Sequence, residues 1–344
     1  MNTQAFPLVV ARAYPPLSAS AQFKLEPEDF QVTEELGFPL AGEGEHLCLF
    51  IEKKQLTTDA LVSDVAKALG VKIRDIGICG LKDRQAVTRQ WLSVVWPIKA
   101  DLPEIGGKSW RVLRMVRHNK KLKRGVHKAN QFVIRLHQVA GDRAQLDERL
   151  TLIGKEGVPN YFGEQRFGRE GANVAKAAAL FAGEFKCKPA QRGIYISAAR
   201  SYLFNRYLSL RVEQHNWHRA LNGDVYNLQG SNSLFGPAAV DAELERRLQE
   251  CDIHPAGPLL GDGKLPQQDD ALALITTIIS AHEGLYAGLQ RVGVSTAQRP
   301  LRVLVQELSW QWHEQLCELR FSLPSGSYAT AVIHELLDVN DALW

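Results

Sequence analysis

The chain has 344 residues, 45% of them hydrophobic and 23% charged, with a formal net charge of +3. That balance excludes a disordered or collagen-like polymer, and the length suits about two domains. Charges interrupt every apolar run before the ~20 residues of a membrane helix, and the N-terminus has no basic segment leading into an apolar core, so the sequence reads as an untargeted cytoplasmic protein without a membrane partner. Cys48, Cys79, Cys187, Cys251 and Cys317 stand far apart with no CxxC pair, as reduced thiols do. His215 and His218 in HNWH come nearest to metal-ligand spacing, but no cysteine or carboxylate completes a set, so no metal is expected.

In FKLEPEDFQVTEEL, alternation runs through Phe30, Val32 and Glu34, and in HLCLFIEKK through Leu47, Leu49 and Ile51. Both predict half-buried strands, with Lys24 opening the first. TTDALVSDVAKALG sets Leu61, Val62, Val65 and Leu69 on one helical face between a threonine cap and the stop signal Gly70. RDIGICG predicts a short strand, GLKDRQAVTRQ begins as a loop, and TRQWLSVVW is a further strand ended by Pro97. From Ile105 to Gly141 there is no Asp or Glu, while ten Lys or Arg occur in those 37 residues. The apolar and β-branched stretches WRVLRMV and NQFVIRL flank the densest part, RHNKKLKRGVHK, and read as paired strands; Arg117, Lys120, Lys121, Lys123 and Arg124 then sit on the tip of a hairpin displayed outward, a polyanion-binding pattern.

AQLDERLTLI follows as a helix, and GKEGVPN breaks the chain near Gly157. Beyond it, NVAKAAALFAG and ISAARSYLFNRYLSLRV predict helices, and HPAGPLLGDGKLPQQDD a loop. Strand alternation returns after Val303 in WHEQLCELRFSLP, and SGSYATAVIHELL reads as a serine-capped helix. The expected architecture is an α/β (α+β) domain from 1–156 and 304–344, interrupted by a mostly helical second domain over 157–303, with a cleft between two lobes.

Asp83 stands between Lys82 and Arg84 in GLKDRQAVTRQ. As a lone acid in a glycine-containing loop it suits a turn, and it also suits a carboxylate kept ionised for chemistry. A cation within a few ångströms would hold it ionised. Neighbours along an extended segment point to opposite faces, so the cation need not be Lys82 or Arg84, and Lys24 is a candidate from elsewhere. Phe30, Phe132 and Tyr328 taken singly are packing residues, and Asn130 a turn residue.

Together, KLEPEDFQVTE, GLKDRQAVTRQ, GVHKANQFVI, VPNYFGEQRFGR, SAARSYLFN and SLPSGSYATAV occur in the order found in the TruD family of tRNA pseudouridine synthases. The chain resembles that family over residues 24–332, nearly its whole length. The resemblance implies the pseudouridine synthase core, with a mixed and mainly antiparallel sheet, carrying the family's inserted domain. It makes Asp83 the catalytic aspartate and assigns Phe30, Asn130, Phe132 and Tyr328 to the target nucleotide, with Lys24 approaching the carboxylate. Two positions depart from the usual pattern: Ala129 stands where the family often has Gly, and Tyr328 where bacterial relatives often have Phe.

The activity implied is isomerisation of uridine to pseudouridine in tRNA, at uridine 13, without a cofactor and without an obligate protein partner. Phe30 and Phe132 would stack on the flipped base, Asn130 would read its edge, and Arg166, Arg169 and Arg200 would join the basic hairpin in holding the tRNA backbone. Two other readings of the residues are a non-catalytic RNA-binding module or chaperone, and a metal-dependent nuclease; the nuclease would need several clustered carboxylates.

Overall fold

The computed structural model describes residues 6–184 and 186–339. Its elements begin with β1 (Ser20–Phe23), β2 (Phe30–Glu35), β3 (His46–Lys54), α1 (Thr58–Leu69), β4 (Gly77–Ile78), β5 (Val87–Val95), β6 (Gly106–Gly107), β7 (Trp110–His118), β8 (Ala129–Ala140) and α2 (Arg143–Glu156). They continue with β9 (Val158–Pro159), α3 (Ala172–Ala182), α4 (Pro189–Glu213), β10 (Asp224–Leu228), β11 (Leu234–Ala238), α5 (Ala242–Gln249), β12 (Ile253–Leu259), α6 (Asp269–Ala281), α7 (Glu283–Arg291) and β13 (Ala297–Pro300). Last come β14 (Arg302–Val303), β15 (Gln306–His313), β16 (Leu316–Pro324), α8 (Ala329–Leu336) and β17 (Asp338–Val339).

An eleven-stranded sheet runs β15-β16-β8-β2-β5-β3-β7-β6, with β1, β4 and β17 joined at its sides. Its pairings are antiparallel except β2 with β5 and β1 with β17, giving the mixed, mainly antiparallel sheet that the family resemblance implies. Register aligns Phe321, Phe132, Val32, Thr88 and Lys53 as one row across β16, β8, β2, β5 and β3, pointing to a common face. Over β3, β5 and β7 that face is covered by α1, whose Leu61, Val62 and Val65 pack on Leu49, Ile51 and Leu92. Over β8 and β16 it is covered by α2 and α8, with Leu150, Ile153, Val332 and Ile333 against Ile134 and Phe321. A seam lies between these two bodies, above β2 and β5.

α1 forms as its sequence predicts: Thr57 Oγ1 accepts the Ala60 N–H, and Gly70 closes the helix at φ +66°. Several expectations are corrected. β7 and β8 are not a hairpin; β3, β5 and β2 lie between them, and residues 119–128 form a crossover. In WHEQLCELRFSLP the alternation over Leu316–Leu323 is strand β16, while Trp312 and His313 end β15, so the stretch also spans the turn of the β15–β16 hairpin. RDIGICG yields a short 3-10 turn and only two strand residues. Lys24 does not open β2; it lies in the β1–β2 connection at φ +54°. α8 has Tyr328 at its N-cap without a side-chain cap, because Ser327 Oγ donates to Asn160 Oδ1 instead (3.2 Å).

The segment 157–303 is helix-rich, with α3 to α7, and it also builds a four-stranded antiparallel sheet, β11-β10-β12-β13. HPAGPL, expected as loop, is part of interior strand β12, buried from Ile253 to Pro258. Its prolines give no ladder donors, but the Pro255 carbonyl still accepts from Leu301 N (2.8 Å), so burial outweighs the usual bias against proline in strands. Where the segment begins and ends, β9 pairs β14, which sets Val158 beside Val303. One apolar core runs from Phe132 and Leu323 through Tyr161 to Tyr202, Leu203 and Phe204 of α4.

Candidate active site

β5 is paired along one whole edge by β3, so β2 and β4 must share the other: β2 takes Val87–Arg89 and β4 takes Leu92–Ser93. β2 therefore parts from β5 after three residues. Glu34 fills the gap, with Oε2 accepting from Trp91 N (2.9 Å) and Oε1 paired with Lys82 Nζ (2.6 Å). Both side chains are almost wholly buried. Lys82 N also donates to Oγ1 of Thr58, in the first turn of α1 (2.9 Å), and Thr58 donates to Gln90 Oε1 (3.1 Å). These bonds carry the chain from β4 into the seam and present Asp83 there. Gly80 permits the close passage, since a Cβ there would sit 3.2 Å from His127 Cε1.

The Asp83 carboxylate is 29% exposed, and its cation is Lys24, with Nζ 3.7 Å from Oδ2. Lys82 is committed to Glu34, so adjacency in sequence does not decide the pairing. Lys24 has a non-glycine residue's unfavourable left-handed backbone, a local strain held in place by its surroundings. Its ammonium lies 4.2 Å from the Phe30 ring centroid. Burial pushes the Lys24 pKa down, and Asp83 opposes the shift. Beneath the loop, Lys53 Nζ donates to the Asp83 carbonyl oxygen (2.8 Å). Lys53 is fully buried, and its pKa is pushed down to about 8 by burial, against the pull of Asp83. Thus residues 24, 53 and 83, remote in sequence, converge at one point of the seam.

Phe30 and Phe132 are buried floor rather than open platforms: Phe30 packs edge-on to Phe23 beneath the Lys24 ammonium, and Phe132 lies between Phe30 and Phe321. Asn130 faces Glu34 across the β2–β8 ladder. Its Nδ2 donates to His127 Nε2 (3.3 Å), and burial lowers the His127 pKa, which favours the neutral ring this bond requires. Asn130 Oδ1 is buried with no partner among the described residues. Ala129 is the first, extended residue of β8, outside the positive-φ set, so a glycine is not required there. The Tyr328 hydroxyl accepts from Arg166 Nε (3.1 Å) and Nη2 (2.8 Å).

The expected backbone-binding cations divide. Lys120, Lys123 and Arg124 are exposed on the crossover, which is pinned beside the Asp83 loop by Leu122 N to Ser93 Oγ (2.9 Å) and Gly125 N to Cys79 O (2.7 Å). Arg117 instead donates to the carbonyls of Trp96 and Pro97, and Lys121 to that of Arg74. Arg200 is spent on the carbonyls of Leu259, Leu260 and Ser295, so it anchors loops and is not a free phosphate ligand. Arg169 is exposed beside Glu170. Sequence reasoning missed Lys53 and Glu34 as site residues. The signal was present: two residues beyond Leu47, Leu49 and Ile51, the buried face of β3 reaches a lysine, and after Phe30 and Val32 that of β2 reaches a glutamate.

The model of the family described as tRNA pseudouridine synthase D (TruD) matches residues 18–187 and 186–336. The chain belongs to this family. A tRNA pseudouridine synthase D of Hydrogenovibrio crunogenus is 43% identical over 334 residues, covering 96% of each chain, and one of Pseudomonas putida 44% identical over 326 residues, covering 93% of this chain and 92% of the relative. A solved structure from Methanosarcina mazei bearing the TruD name superimposes with a TM-score of 0.70 over 96% of this chain and 97% of that one; at 20% identity it supports the fold. As a TruD-family member the chain is a tRNA pseudouridine synthase, an isomerase.

Proposed function

We propose that the chain isomerises uridine 13 of tRNA, with Asp83 as the catalytic carboxylate. The observation that carries this reading is the Lys24–Asp83 pair, in which a partly exposed carboxylate faces a mostly buried ammonium at the seam.

The reaction breaks N1–C1′ and makes C5–C1′ within one nucleotide. In one route an Asp83 oxygen bonds C1′ as the uracil anion departs; the uracil turns, C5 attacks C1′, and the carboxylate is expelled. In the other, Asp83 takes the C2′ proton as the uracil anion leaves C1′, giving a glycal to which C5 adds at C1′ as that proton returns to C2′. Both routes end with C5 losing its hydrogen and N1 gaining one, so the product is an isomer of the substrate. The buried Asn130 Oδ1 suits the uracil N3–H donor, and the aromatic floor of Phe30 and Phe132 keeps water from the apolar side. A base inside a helix must leave its stack to reach Asp83, at a cost of a few kcal/mol. Lys120, Lys123 and Arg124, exposed on the adjacent crossover, suit the RNA backbone. This reading places the chain in the cytoplasm and involves no membrane and no obligate protein partner.

Asp83→Asn tests it, with pseudouridine mapped at uridine 13 and tRNA affinity measured alongside. Loss of the modification with binding retained is expected, and it excludes a purely RNA-binding module. Undiminished pseudouridine would remove Asp83 from the chemistry.

A further inference from the structure

Arg166 and Arg299 meet at the turn that carries Tyr328. Arg299, on β13, donates through Nε (3.2 Å) and Nη2 (3.1 Å) to Asn160 O, through Nη2 to Asn160 Oδ1 (2.6 Å), and through Nη1 to Gly326 O (3.0 Å). Arg166 gives Nε and Nη2 to the Tyr328 hydroxyl and Nη1 to Ser197 Oγ (3.2 Å). Both guanidinium groups lie near the Phe162 ring, at 4.1 Å for Arg299 and 5.8 Å for Arg166.

Every one of these partners is neutral. Among the described residues neither arginine forms an ion pair, and Arg299's pKa falls to about 10 because its guanidinium is buried, with Arg166 pushing the same way. Like charges partly withdrawn from water weaken one another unless an anion joins them. Arg166 retains unassigned N–H groups, and the Tyr328 hydroxyl, which accepts twice from Arg166, still has its own hydrogen to donate. The unassigned N–H groups of Arg166 and the Tyr328 hydroxyl hydrogen are therefore the donors left here for an acceptor that carries negative charge. The planar forks fit phosphate oxygens. The position fits too: Tyr328 is five residues beyond Leu323, the ladder partner of Asn130.

We propose that Arg166 and the Tyr328 hydroxyl form a site for one phosphodiester of the RNA strand that carries the target nucleotide, with Arg299 anchoring the turn that carries Tyr328. The site rests on the proposed tRNA activity and deepens it, since it gives Arg166 a task at the substrate strand.

The test uses the full chain and one tRNA transcript, comparing wild type, Arg166→Gln and Arg166→Lys after thermal melts establish that each is folded. In Arg166→Gln the slope of log affinity against log salt should shrink by about 0.7, one single-strand phosphate, and Arg166→Lys should keep most of it. A neutral methylphosphonate at one linkage flanking the target uridine should weaken wild type and leave Arg166→Gln unaffected. If Arg166→Gln does not fold, Tyr328→Phe, which deletes only the hydroxyl, enters the same methylphosphonate comparison. An unchanged slope, or methylphosphonate losses that simply add to the substitution at every flanking linkage, overturns the site and leaves Arg166 as a positioning residue for Tyr328. Pseudouridine formation by wild type in the same transcript is scored separately. Its absence strikes the activity, whereas the slope and linkage data strike the phosphate site alone.

Discussion

Lys53 shows how strongly one buried charge shapes this site. It is fully buried on the α1 side of the sheet, and its ammonium holds the carbonyl of Asp83. Its pKa is about 8 when folded, against 10.5 when free. Between those values the unfolded chain keeps a proton that the folded chain has shed, so stability linked to Lys53 is present above 10.5 and is lost as pH falls through about 8. Relative to Lys53→Met, wild type should gain about 1.4 kcal/mol per pH unit across that window, read from denaturant unfolding at several pH values. A difference that stays flat with pH would show that the lysine is not desolvated as described. The same variant should slow pseudouridine formation more than it weakens tRNA binding, because it frees the Asp83 backbone without touching exposed cations.

Among the elements, α4 and β10 are joined by a bidentate pair: Arg211 Nη1 and Nη2 donate to Asp224 Oδ1 (2.8 Å) and Oδ2 (2.9 Å), with both side chains fully buried. Burial raises the Asp224 pKa while Arg211 opposes it, and Tyr207 and Asp224 keep Arg211 charged. Asp224→Asn leaves that guanidinium without its counter-charge and should destabilise the fold by about 3–5 kcal/mol, measured as a lower denaturation midpoint. An effect below about 1 kcal/mol, the range of exposed pairs, would contradict the burial. This staple stands in the segment that carries Arg166 and Arg299, so its loss should reach the Tyr328 turn as well.

Across the whole molecule, the N-terminal stretch straps α4 to α8 and α2. Ala11 N donates to Ser209 Oγ (2.9 Å), Tyr161 OH to Ala11 O (3.0 Å), Tyr14 OH to Gly157 O (2.6 Å), and Ala13 N and Tyr14 N to the Glu335 carboxylate. Arg149 Nη1 adds a bond to Glu335 O (2.7 Å). Burial raises the Glu335 pKa from 4.5 to about 7 despite the two N–H donors and the arginines Arg12 and Arg149. A raised folded value means that the linked stability is fully present below 4.5 and is lost as pH rises through about 7. The stability difference between wild type and Glu335→Gln should therefore shift against wild type from pH 4.5 to 7, as urea titrations at the two ends would record. A pH-independent difference would mean that Glu335 does not titrate there. Because the strap touches elements on both sides of Gly157, its loosening should also lower the cooperativity of unfolding.

Local pattern was enough for α1, with its threonine cap and glycine stop, and for the alternation of β2 and β3, because capping and strand periodicity are decided within a few residues. It was not enough for partnership. WRVLRMV and NQFVIRL carry strand content but no information on which edge they join, and the sheet separates them by three strands, so the basic run became a pinned crossover. HPAGPL looks like loop until burial between β10 and β13 makes it a strand. Lys82 stands next to Asp83 in the chain, yet its charge belongs to Glu34, while Lys24 reaches the carboxylate across the seam. The sequence by itself determined α1, the alternation of β2 and β3, and the chemical groups available. Only the tertiary structure decided which charge meets which, because burial and long-range register set the distances on which electrostatic pairing depends.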